Sequence, residues 1–74
     1  MEIMYAYQRV AEDLARQIEE GRIPTGGRLP NERDLADMYQ VSAGTVRRAV
    51  RVLQERGLVQ TLPAKGTYVV RSQT

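Results

Sequence analysis

Seventy-four residues carrying 11 Lys and Arg against 9 Asp and Glu, net +2, make one small domain near the size where a single core is marginal, with no room among them for a second catalytic or ligand-sensing unit. With no Cys and no His, the chain has no disulfide framework, no thiolate or zinc–thiolate chemistry, and neither the commonest general base nor the commonest metal ligand; no enzyme, metal or cofactor is expected, and a reducing, cytoplasmic setting is. The net charge hides a division: residues 1–40 hold five Arg and eight acids, net −3, whereas 41–74 hold five Arg and Lys65 against Glu55 alone, net +5.

From the N-terminus, the longest apolar run, Ile3 to Tyr7, falls far short of the ~20 residues of a membrane span, and Glu2 stands where an export signal carries positive charge. A soluble protein that is neither membrane-bound nor exported follows. Tyr7, Val10, Ala11, Leu14 and Ile18 recur at helical spacing with charges filling the rest of the wheel, so a first amphipathic helix is expected, closed by Gly21. Pro24, Gly26 and Gly27 interrupt regular structure, and Arg28 and Leu29 fit a short extended stretch stopped by Pro30. Asn31 sits where an N-cap belongs, followed by Glu32 and Asp34 in the first turn. A second helix to Tyr39 follows, with Leu35, Ala36 and Met38 as its apolar side.

After a tight connection through Gln40 and Val41, Ser42 caps a third helix whose core stripe is Val46, Ala49, Val50 and Leu53, ending near Gly57. At ~100° per residue, Gly44, Arg47, Arg48 and Arg51 form one arc opposite that stripe. Leu58 to Leu62 has strand character, Pro63 to Gly66 reads as a turn, and Thr67 to Val70 returns. The expected fold is mainly α with a small β-hairpin: three helices plus a two-stranded wing, a winged helix-turn-helix over residues 5–70. Its helix-turn-helix lies at about 32–51 and the wing at about 58–70, with 71–74 as a tail or the start of a linker.

This arrangement suits duplex DNA. An Arg fork reads guanine O6 and N7 or clamps a phosphate, and the small residues Ser42, Ala43, Gly44 and Thr45 let the amides of a helix N-terminus approach the backbone closely. Lys65 beside Gly66 puts one positive charge at the wing tip. Bland readings stand beside these: an Arg-rich face is also a common solvated surface, Arg33 has Asp37 available at i+4, and a cap alone accounts for Ser42. Tyr7 and Tyr68 read as packing residues, and the acids of the first helix as a solvated face. A winged helix whose basic face binds an acidic protein is the alternative from another functional class.

The stretches IEEGRIPTGGRLP, NERDLADMYQVSAGTVRRAVRVLQERGLV and KGTYVV together resemble the N-terminal winged helix-turn-helix domain of the GntR family of bacterial transcription regulators. The resemblance spans about residues 5 to 70 and rests on a long ordered set, including Leu29-Pro30, Glu32-Arg33, Leu35-Ala36, Val41-Ser42, Thr45-Val46-Arg47 and Gly66-Thr67. It implies that Arg33, Ser42, Thr45, Arg47 and Gly66 occupy DNA-contacting positions, and that the protein represses transcription as a homodimer on a pseudo-palindromic operator. It also implies an effector ligand only where a C-terminal domain accompanies this one, the chain being either a fragment or a natural short form. One departure stands out: Ala43 replaces the Arg that often follows the turn Ser, which moves base reading toward Arg47, Arg48 and Arg51. With Ala43, Gly44 and Lys65 these residues complete the expected DNA-binding set.

Overall fold

The computed structural model describes residues 4–70; the expected tail at 71–74 lies outside the described residues. Three helices, α1 (Ala6–Glu19), α2 (Glu32–Tyr39) and α3 (Ala43–Glu55), precede an antiparallel pair, β1 (Val59–Leu62) and β2 (Gly66–Val69). No helix among the described residues is long and apolar enough to cross a membrane.

The core is where the three helical stripes and the base of the wing meet. α1 contributes Val10, Ala11, Leu14, Ala15 and Ile18, α2 only Leu35, α3 Val46, Ala49 and Leu53, and the wing Leu58, Val59 and Val69, with Leu29 closing the side. All of these are apolar and close to fully buried, which is the dominant favourable term for so small a domain. Met38 departs from expectation: it is 63 % exposed, and the neighbour at the end of α2, Tyr39, packs against the core instead. An eight-residue helix makes barely two turns, so it buries a narrow stripe.

The ends of the helices follow their local chemistry. Asn31 accepts the Asp34 amide at 2.8 Å, and Ser42 accepts that of Thr45 at 3.1 Å. Between them, Gln40 turns the chain in the left-handed region (φ 55), which residues with a side chain adopt at a cost, and its side-chain amide donates to the Asp37 carbonyl at 2.8 Å. That left-handed residue ends α2 and turns the chain toward α3. Gly57 (φ 76) ends α3 in the same region at no steric cost.

The wing pairs Val59 with Val69 through Leu62 with Gly66, so its loop is Pro63 to Lys65 and Gly66 opens β2 instead of ending the turn. The segment before α2 joins as a rudimentary third strand: Arg28 bridges Tyr68, and the Leu29 amide donates to the Thr67 carbonyl at 2.8 Å. Gln54 of α3 donates to the Thr61 hydroxyl at 2.7 Å, which in turn lies 2.9 Å from that of Thr67. The wing is thereby tied to the exposed side of α3.

Candidate nucleic-acid interface

The start of α3 is small and open. Ser42 uses its hydroxyl twice, accepting from the Thr45 amide and donating to the Thr45 hydroxyl at 2.9 Å. Ala43 and Gly44 are exposed in the first turn, where amides lack intrahelical partners and the helix dipole is positive. A Cβ placed on Gly44 would meet nothing closer than the Ser42 hydroxyl at 3.9 Å.

One turn on, the three arginines have three different surroundings. Arg47 makes a bidentate pair with Glu32 of α2, its Nε and Nη2 lying 3.1 and 2.8 Å from the two carboxylate oxygens. The hydrogen bond, and then the charge, of Glu32 raise the Arg47 guanidinium above its already high pKa. Arg48 lies over the Tyr7 ring, 3.9 Å from its centroid, and Tyr5 stacks on Tyr7 with centroids 6.2 Å apart. Tyr7 is therefore both a packing residue and a seat for a cation. Arg51 is exposed, and among the described residues no carboxylate lies within ion-pair distance of it.

Arg33, in the first turn of α2, is likewise exposed; the available i+4 pairing with Asp37 does not form. Lys65 is exposed at the wing tip, where its carbonyl accepts the Tyr68 hydroxyl at 3.1 Å. Gly66 has φ +121, a conformation that side-chain-bearing residues avoid. Apart from Arg33 on α2, these residues lie on the exposed side of α3 or on the wing, whereas Arg56 pairs with Glu12 of α1 at 2.9 Å.

Between α3 and the wing runs an open cleft of about 320 Å³ whose charged lining is Arg28, Glu32, Arg47 and Arg51. Arg28 is absent from the site expected from the sequence. It lies in the acidic half of the chain, and no local signal separates it from a solvated arginine; its bridge to Tyr68, 40 positions later, is what brings it here.

On the opposite count, Asp13 of α1 is bound to α2: Tyr39 donates to its Oδ2 at 2.5 Å, Gln17 donates at 2.9 Å, and Arg16 pairs with Oδ1. The Tyr39 hydrogen bond is the largest influence holding the Asp13 carboxyl below its ordinary value, and burial followed by the same bond pushes the Tyr39 phenol up to about 12. The acids of α1 are thus not all a solvated face, since this one locks α2 to the scaffold.

The sequence pattern of "Bacterial regulatory proteins, gntR family" matches residues 6–69. The transcriptional regulator Rv0792c of Mycobacterium tuberculosis is 45% identical over 64 residues, which is 86% of this chain and 24% of that protein. The mannosyl-D-glycerate transport/metabolism system repressor MngR of Escherichia coli is 36% identical over 63 residues, 85% of this chain and 26% of that one. The chain thus spans about a quarter of the length of these curated relatives. Among solved structures, the DNA-binding domain of AraR in complex with operator ORX1 superposes with a TM-score of 0.89 at 29% identity, covering 92% of this chain and 82% of that one. The three helices and wing are those of a winged helix-turn-helix, and the chain belongs to the gntR family of bacterial regulatory proteins, folding as that family's DNA-binding domains do.

Proposed function

We propose that this domain is the operator-reading head of a bacterial transcription repressor, binding duplex DNA with α3 in the major groove and the wing on the adjacent backbone or minor groove. The observation that carries the reading is the division of α3. Val46, Ala49 and Leu53 are buried, while Gly44, Arg47, Arg48 and Arg51 stand exposed beside a wing that ends in Lys65. Repression is supported by a relative named as a repressor, and duplex DNA by the operator complexes of AraR.

Within this reading the roles divide by surroundings. Arg47, steered by Glu32, and Arg51 read base edges; the amides of Ala43 and Gly44, the hydroxyls of Ser42 and Thr45, and the side chains of Arg33 and Lys65 hold phosphates. Arg48, held over the ring of Tyr7, contacts a phosphate. Residues 5–70 act as the DNA-binding unit, in the cytoplasm, as a homodimer on a pseudo-palindromic operator. Any effector acts through a further domain.

Selection of bound sites from a random duplex library, followed by affinity measured across salt, tests the function. The expected result is enrichment of two inverted half-sites, with log affinity falling linearly in log salt. No enrichment, together with no binding at low salt, refutes it.

A further inference from the structure

We infer that Arg28 is a phosphate-binding residue of this interface, holding a backbone phosphate of the DNA in the cleft between α3 and the wing; the inference rests on the DNA-binding function proposed above. Its backbone is fixed from both sides. Arg28 itself bridges Tyr68 of β2, the next amide donates to the Thr67 carbonyl, Leu29 is buried, and Pro30 restricts the chain beyond. An exposed arginine on a free loop pays heavily in side-chain freedom to hold one position; this one starts from an anchored Cα.

The side chain is seated as well. A Cβ on Gly66 would lie 2.5 Å from the Arg28 Nε and 3.2 Å from both Cζ and Nη2, so the guanidinium rests in the space that the missing side chain leaves. Gly66 is favoured by its φ of +121, and the absence of a side chain there leaves the space that the Arg28 guanidinium occupies.

The charge balance of the cleft then points to an anion. Three guanidinium groups, Arg28, Arg47 and Arg51, line it against the single carboxylate of Glu32, both of whose oxygens are engaged by Arg47. Among the described residues, Arg28 and Arg51 have no carboxylate within 4.0 Å. Two like charges facing one open space are relieved by an anion between them, and a phosphodiester matches the planar donor fork of arginine. A DNA strand lying against the exposed face of α3 and reaching the wing passes over this cleft, which favours backbone phosphate over a free anion as the occupant.

The test compares the 74-residue parent with Arg28→Ala, Arg28→Lys and Arg28→Gln, measuring affinity for a selected operator and for a random duplex by fluorescence anisotropy across salt. Removing one phosphate contact lowers the slope of log affinity against log salt by about 0.9, so the loss caused by Arg28→Ala shrinks about 3.5-fold between 50 and 200 mM salt. Both duplexes weaken by the same factor, Arg28→Lys keeps the slope, and Arg28→Gln, which keeps a polar side chain but no charge, lowers the slope as Arg28→Ala does. An unchanged slope in Arg28→Ala overturns the inference while leaving the DNA function intact, and a loss confined to the operator overturns it in favour of base reading. A parent that binds no duplex refutes the underlying function itself. Inorganic phosphate at constant ionic strength supplies the last arm: a shift of the Arg28 Nε–H resonance at millimolar phosphate without DNA, paired with an unchanged DNA slope, identifies a free-anion site and overturns the assignment.

Discussion

Replacing Tyr39 by Phe removes one oxygen atom and leaves the ring that packs against the core, which isolates the bond joining α1 to α2. That oxygen donates to Asp13 Oδ2 at 2.5 Å and receives the Gln17 amide at 3.2 Å. A hydrogen bond to a charged acceptor is worth about 1.5–3 kcal/mol, and discounting for the partial exposure of both residues leaves about 1 kcal/mol. For a domain of this size the midpoint of thermal unfolding should fall by about 4–8 °C at pH 7. The pH dependence sharpens the expectation. Because the fold holds the Asp13 carboxyl below its ordinary 3.8, its contribution is present above that value and is lost as pH falls through the lower folded value. The Tyr39 phenol, raised from 10.0 to about 12, contributes fully below pH 10 and loses its share as pH climbs toward 12. Circular dichroism melts of parent and Tyr39→Phe at pH 7 and at successively lower pH below 3.8 should therefore show a gap that narrows in acid. A gap that stays constant down to the pH at which the parent itself unfolds would mean that ring packing, not the carboxylate bond, had been disturbed. No gap at pH 7 would refute the lock altogether.

Arg47→Ala should erode discrimination between operator and random duplex, whereas Lys65→Ala should weaken both by a common factor; competition binding separates the two, and identical behaviour would defeat the division into base reader and phosphate anchor. Ser42→Ala should cost about 1 kcal/mol by uncapping α3 while Ser42→Gly costs only a few tenths, as read from denaturant midpoints; equal losses would point away from capping. Ala64 sits at φ 63 in the wing loop, so Ala64→Gly should raise stability by about 0.5–1 kcal/mol in the same assay, and a loss would show that the left-handed position is not strained.

The elements were legible wherever their cause is local. Helical spacing marks the buried faces of α1 and α3, Asn31 and Ser42 announce their own caps, and Gly57 ends α3, because each of these depends on residues within about four positions. Met38 was misassigned for an instructive reason. In an eight-residue helix two neighbouring apolar candidates differ by one step of the wheel, and only the position of α1 makes Tyr39, with a hydroxyl for Asp13, the inward one. Gly66 looked like the end of a turn, yet the register with Leu62 puts it in β2.

The same distinction runs through the candidate site. A −3 scaffold followed by a +5 reading face, with three arginines on one arc of α3, is present in the order of residues alone, since charge sum and helical phase need no third dimension. What each arginine meets is not. Arg47 finds Glu32 across 15 positions, Arg48 finds the ring of Tyr7 across 41, and Arg28 crosses from the acidic half to lie on Gly66, 38 positions on. Contacts between residues so far apart are set by how the helices and wing pack, and packing is decided by the whole buried core at once. The chain order therefore determines which residues carry charge and on which face of their own element, while the fold selects which of those charges are paired, stacked or left facing an open cleft.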